Sequence, residues 1–90
     1  MRIESFDWDE VNIEHIARHR VMPDEAEEVF ESKYHLLRSK SGRYLTLGRN
    51  ADGRYLACII EKLSQPNTVR IITARDMNQA ERKLFKRKVM

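Results

Sequence analysis

Cysteine is almost missing from this chain: Cys58 is the only one in 90 residues. No intrachain disulfide can form, and no cysteine pair offers zinc or redox spacing. Long apolar runs are missing too. Leu56 to Ile60 and Ile71 to Ile72 are the longest, far short of the roughly 18 to 20 residues that a membrane span needs. Three glycines and two prolines make no Gly/Ser or Pro-rich linker, and there are no repeats or low-complexity segments, so one domain spanning 1–90 is expected. There is no Gly-rich phosphate loop, Gly-x-Ser-x-Gly elbow or pair of catalytic carboxylates, which removes kinases, NTPases and serine hydrolases. The stretch Met1 to Glu10 is acidic and lacks the apolar segment of a secretory signal, so a cytoplasmic setting is expected.

What the chain has in quantity is charge, and it is segregated. Hydrophobic residues are 41% and charged ones 34%, which suits a compact core under a charged surface. From Met1 to Ser32 three basic residues face ten acidic ones, a balance of −7; from Lys33 to Met90 fourteen basic face four acidic, a balance of +10. A basic stretch of that size predicts a polyanionic ligand, nucleic acid first, through phosphate neutralisation and steering. The competing explanation is that the two segments cover each other and most of the field cancels.

Element signals run along the whole chain. Met1 to Trp8 suggests a short edge strand. Asp9 is a good N-cap for a helix over Glu10 to His19, where Ile13, Ile16 and Ala17 recur at helical spacing. Pro23 opens a second helix, to about Glu31, with acids in its first turn and an apolar stripe of Met22, Ala26, Val29 and Phe30. Strands are expected at Tyr34 to Arg38, Arg43 to Arg49, Arg54 to Leu63 and Thr68 to Arg75, separated by turn compositions at Ser41-Gly42, Asn50 to Gly53 and Ser64 to Asn67. Asp76, with Gln79, reads as the cap of a last helix over Met77 to Lys88. The order β-α-α-β-β-β-β-α implies an α+β domain, with two N-terminal helices and one C-terminal helix laid on an antiparallel sheet.

Hairpin arithmetic then places side chains. A four-residue turn at Asn50 to Gly53 sets Arg49 opposite Arg54, Leu47 opposite Leu56 and Leu45 opposite Cys58; the next turn sets Leu56 opposite Arg75, Cys58 opposite Thr73, and Glu61 opposite Arg70 as an ion pair. Arg49, Arg54 and Arg75 then gather at one end of one face, where an anion or carboxylate must sit among them. A slip of one residue would scatter them across both faces. Trp8, Asn12, His15 and His19 fall on one helical stripe. His15 and His19 lack a third metal ligand, so no metal is expected. Beside arginines a histidine can carry protons for phosphodiester chemistry, while His19, at the helix end, equally suits a capping role. Arg82, Lys83, Lys86 and Arg87 form a basic face on the last helix, either solvated or tracking phosphates.

Taken in order, Phe6-x-Trp8-Asp9-x-x-Asn12-x-x-His15-Ile16-x-x-His19, Val21, Glu25 to Phe30, Asp52-Gly53-Arg54, Arg70 to Arg75, Met77 and Glu81-Arg82 resemble the BrnT family of type II toxins. The resemblance covers nearly the whole chain. It implies a RelE-like fold and a toxin that cleaves RNA without metal or cofactor and inhibits translation. It also implies neutralisation by a BrnA-like ribbon-helix-helix antitoxin, through which alone the toxin meets DNA. On that reading a ribose 2′-hydroxyl attacks its adjacent phosphate. Arg54 and Arg75 would contact the transition state, His15 or His19 would carry the proton, and Arg43, Arg49, Arg70, Arg82, Lys83 and Lys86 would bind RNA. The chain departs from the family's common pattern at Arg20, where Gly is usual, at Arg49, where Thr or Ser is usual, and at Phe85, where Tyr is usual. A non-catalytic basic module that only holds an acidic or nucleic-acid partner is the competing class.

Overall fold

The computed structural model describes all 90 residues, Met1 to Met90. Five strands, β1 (Ser5–Asp7), β2 (His35–Arg38), β3 (Arg43–Arg49), β4 (Tyr55–Lys62) and β5 (Thr68–Asp76), form one sheet in the order β1-β5-β4-β3-β2. Three helices, α1 (Glu10–Ala17), α2 (Pro23–Glu28) and α3 (Gln79–Val89), and short 3-10 turns at Val29–Glu31 and Lys40–Gly42 complete the α+β domain. The expected element order holds. The pairs along β2 to β5 are antiparallel, but β1 lies parallel to β5, with Phe6 opposite Val69.

Asn12 explains how α1 is launched from that parallel edge. It is 2% exposed. Its Nδ2 donates to the carbonyls of Asp7 at 2.9 Å and Ile71 at 3.0 Å, and its Oδ1 accepts from the Asp9 N–H at 2.8 Å. A buried amide must satisfy both donors and its acceptor, and here that requirement pins the first turn of α1 to the point where β1 leaves β5. Asp9 caps α1 as expected, accepting from the N–H groups of Val11 and Asn12. Trp8 does not join the predicted stripe with Asn12; its Nε1 donates to Glu27 of α2 at 2.7 Å.

The sheet buries both faces, which accounts for the unbroken apolar run in β4. Leu56, Cys58, Ile60, Val69, Ile71 and Ala74 face α1 and α2, packed with Ile16, Ala26 and Val29. Leu47 and Ala57 face α3, packed with Met77 and Phe85. Leu45 and Leu47 thus lie on the opposite face from Leu56 and Cys58, which the hairpin arithmetic sets across from them. The loop between β3 and β4 runs from Asn50 to Arg54, because the Oδ1 of buried Asn50 accepts from the N–H groups of Asp52 and Arg54, at 3.1 and 2.8 Å. Arg54 thereby belongs to the loop. Arg49 pairs with Tyr55, Leu47 with Ala57 and Leu45 with Ile59, one residue off the expected register.

Between β4 and β5, Leu56 lies opposite Asp76 and Cys58 opposite Ala74, again one residue from expectation. An irregularity at Ile59/Ile60 then restores the expected Glu61 opposite Arg70. The ion pair anticipated between those two does not form: Glu61 accepts from Arg43 at 3.2 Å, and Arg70 bonds Asp7 and Asp9 at 3.0 and 2.9 Å. The cap of α3 is likewise Asn78 with Glu81 in a reciprocal capping box, not Asp76 with Gln79. Asp76 ends β5 instead, where its carboxylate is taken by Arg54.

Gly48 is where the 3-10 turn after α2 comes down on β3. A Cβ there would stand 2.7 Å from Cγ1 of Val29 and 3.3 Å from Cβ of Tyr34. Gly48→Ala should therefore cost about 1–3 kcal/mol by overpacking, read as a lower denaturation midpoint in urea. An unchanged midpoint would mean that the turn over β3 moves freely.

Candidate nucleic-acid site

The corner after α1 is the first part of the site. The N–H of Val21 donates to the carbonyl of Ile16 and that of Arg20 to Ala17, a Schellman-type closure. Arg20 has φ 59°, the left-handed conformation that glycine adopts most readily. An arginine is thus held at a strained corner, exposed, with His19 beside it.

Arg54 holds this corner against the sheet. Its Nε donates to Asp76 at 2.8 Å, one terminal nitrogen to the Arg20 carbonyl at 2.7 Å and to Glu25 at 3.3 Å, and the other to the His19 carbonyl at 3.2 Å. One guanidinium therefore joins the end of α1, the first turn of α2 and the end of β5. Acids of α2 that the sequence assigns to the helix dipole also receive the hairpin loop: Glu25 accepts from Asn50 at 3.0 Å, and Glu28 from the Ala51 N–H at 3.0 Å.

Arg75 makes the second tie. Its two terminal nitrogens grip Glu81 as a fork at 2.7 and 3.0 Å, and Glu81 also accepts from the Asn78 N–H. The Glu81 side chain is 14% exposed and that of Arg75 is 38% exposed, so the guanidinium keeps an open side. Arg75 holds the Glu81 carboxyl below the usual carboxylate range, and Arg54 does the same to Asp76, with a smaller contribution from His19.

His19, Arg20, Arg75 and Asp76 line one open groove together with Arg18. An imidazole, three guanidiniums and a carboxylate thus face shared solvent. His15 lines a second groove with Arg43, Arg70 and Ile72, and the two histidine rings lie 6.1 Å apart. The structure brings His19 to Arg75, and His15 to Arg43 and Arg70. Arg49, Arg82 and Lys86 lie elsewhere, around the ring of Tyr55, at 5.7, 4.4 and 5.5 Å from its centroid. Lys83 is exposed on α3 beside Arg82 and Lys86. Phe85 is a core side chain, 1% exposed and edge-on to Tyr55 at 5.9 Å. Cys58 is buried, and burial pushes its thiol up to about 12; such a thiol is neither nucleophile nor ready ligand. No group of three or more His, Cys, Asp or Glu side chains is placed to hold a metal ion.

Sequence reasoning missed Tyr55, Arg20, Asp76 and Glu81 as members of these clusters. Tyr55 shares a face with Arg49 and Arg75 only in the observed register. Glu81 could have been found from the Asn78-x-x-Glu81 capping spacing.

A family model described as the ribonuclease toxin BrnT of type II toxin-antitoxin systems matches residues 8–81. Among solved structures, the 1.1 Å crystal structure of the Brucella abortus ribonuclease toxin BrnT superposes with a TM-score of 0.68 at 23% identity, over 83% of this chain and 97% of that one. No curated protein matches.

The depressed carboxyls give a signed expectation. A group with a lowered folded-state pKa stabilises the fold above its ordinary value, and that stability is lost as pH falls through the lowered one. Stability should therefore decline as pH drops below about 4. Arg75→Met, which frees Glu81 from its fork, should show a shallower decline in urea midpoints between pH 5 and 3. Parallel declines in the two proteins would mean that the fork does not set the Glu81 carboxyl.

Proposed function

Because the chain belongs to the BrnT family of ribonuclease toxins of type II toxin-antitoxin systems, we propose that it is an active, metal-independent endoribonuclease that arrests translation in the cytoplasm. The observation that carries this reading is the groove in which His19 and Arg75 face common solvent beside Arg20 and Asp76. In that groove the ribose 2′-hydroxyl loses its proton to His19 and attacks the adjacent phosphorus, the bond from phosphorus to the 5′-oxygen breaks to leave a 2′,3′-cyclic phosphate, and the departing 5′-oxygen takes a proton from water. Arg75 stabilises the charge that builds on the phosphoryl oxygens, the contribution that weighs most in such reactions. Its fork with Glu81 fixes its orientation beforehand, so little reorganisation is needed.

Arg54, expected from the sequence among the transition-state contacts, is proposed as a positioning residue. Four of its five N–H groups already meet protein acceptors, and what they position is the His19-Arg20 corner. His15 with Arg43 and Arg70 holds the RNA backbone in the neighbouring groove, and Arg49, Arg82, Lys83 and Lys86 extend the positive surface. The whole chain, 1–90, acts as one toxin domain without a cofactor. Its partner is a BrnA-like ribbon-helix-helix antitoxin whose acidic segment covers the basic surface, and DNA is met only through that antitoxin. No helix is long and apolar enough to cross a membrane.

The non-catalytic binding module has one observation in its favour: Arg54, Arg70 and Arg75 are all paired with protein carboxylates. Cleavage assays separate the two readings. Purified protein should cleave single-stranded RNA in EDTA. Arg75→Ala and His19→Ala should each lower the rate about 10²-fold or more, and Lys83→Ala should change it little. Cleavage lost in EDTA and restored by one divalent ion would overturn the metal-independent mechanism, and equal effects from all three substitutions in folded protein would reduce the groove to a phosphate surface. In cells, expression of the chain alone should arrest growth, and coexpression of its antitoxin should restore it. Harmless accumulation of soluble protein would favour the binding module.

A further inference from the structure

Tyr55 sits among three cations that no carboxylate neutralises. The ion pairs of the molecule engage Arg2, Arg18, Arg43, Arg54, Arg70 and Arg75, whereas Arg49, Arg82 and Lys86 have none. Like charges crowded on one ring repel, and the Tyr55 face offsets only part of that. Anions from outside the chain would offset the rest. The flat surface between those cations specifies the anion further: Arg82 lies over the ring with its guanidinium carbon 4.4 Å from the centroid, and both a phenol and a guanidinium stack on nucleobases. A ring flanked by cations in this way matches the chemistry of single-strand recognition, in which bases stack and phosphates are neutralised.

The location fits as well. Arg75 pairs with Ala57, two residues along β4 from Tyr55 on the same face, and the Met77 N–H donates to the Tyr55 carbonyl at 3.1 Å. The ring therefore lies on the same sheet face as Arg75, diagonal to it across β4 and β5. Phe85 supports it from beneath, edge-on.

Resting on the ribonuclease reading, we propose that Tyr55 and Arg82 form a stacking platform for one unpaired base next to the scissile phosphate, with Arg49 and Lys86 holding the flanking phosphates. Duplex RNA, whose bases are already stacked and paired, cannot use this platform, so the substrate is single-stranded.

The test is binding of a fluorescent single-stranded 2′-deoxy oligonucleotide, which has no attacking hydroxyl, against a duplex of the same sequence. The full chain should bind the single strand more tightly. Tyr55→Leu should weaken single-strand binding about tenfold or more, duplex binding much less, and Tyr55→Phe should bind like the parent. Because Tyr55 packs on Phe85, the double variant Arg82→Gln/Lys86→Gln, with both changes on exposed α3 positions, provides the second arm. It should weaken single-strand binding and lower its salt slope by about one or more. Equal weakening for single strand and duplex in Tyr55→Leu, or none for either, would overturn the platform. So would poly-glutamate binding tighter than the oligonucleotide and lost in the double variant, which would give the surface to an acidic protein segment. RNA cleavage indifferent to Tyr55→Leu would sink the platform and leave the ribonuclease standing. Tyr55-dependent oligonucleotide binding without RNA cleavage would do the reverse.

Discussion

The guanidinium of Arg54 is the junction on which the rest of the arrangement depends. A β-hairpin and a helix corner have no backbone ladder in common, so only side chains can fix their relative position. Arg54 does this with four hydrogen bonds to acceptors on the turn after α1, on α2 and on β5. The carbonyls of His19 and Arg20 lie in the turn just after α1, close to the negative end of the helix dipole, where a cation is favoured. The same bonds that satisfy those carbonyls place the His19 side of the corner over Asp76, and with it beside Arg75. The groove is thus a consequence of how the helix end is closed.

The charge segregation acquires a structural meaning from these ties. Part of the acidic N-terminal segment does neutralise the basic remainder, since Glu25 meets Arg54, and Asp7 and Asp9 meet Arg70. The cancellation raised by the charge count is therefore real at these places and does not extend to Arg49, Arg82 and Lys86. In the grooves Arg43, Arg70 and Arg75 are oriented by carboxylates, whereas Arg20, Arg49, Arg82 and Lys86 have none. A paired arginine is preorganised for a phosphoryl group at little entropic cost, and an unpaired one contributes field and attraction.

Much of the fold was legible because punctuation and periodicity agreed with tertiary packing. Asp9 as a cap, Pro23 as a helix opener, the strand β3 from Arg43 to Arg49 and the element order all follow from local chemistry. Register did not follow. The side chain of Asn50, bonded to two loop N–H groups and to Glu25, moves Arg54 out of the strand, and nothing in hairpin arithmetic announces that a buried asparagine will do so. With period-two alternation a single residue is enough to transfer Leu45 and Leu47 to the α3 face. The parallel pairing of β1 was equally hidden, since its partner lies some sixty residues away in sequence. For the site, residue types were readable and their neighbours were not. His19 and Arg75 share a groove, but the carboxylates that hold Arg54, Arg70 and Arg75, and the cations around Tyr55, emerged only from the fold.

In the mechanism we propose, a 2′-hydroxyl attacks phosphorus in a groove built from His19 and Arg75. The ends of the RNA fragments report on it most directly, because attack by the neighbouring hydroxyl leaves the phosphate at the 3′ end of the upstream fragment. Cleavage of a defined single-stranded RNA should leave 5′-hydroxyl ends and 2′,3′-cyclic phosphates or the 3′-phosphates into which they open. Fragments bearing 5′-phosphate and 3′-hydroxyl ends would mean that water, not ribose, is the nucleophile, and would contradict the account.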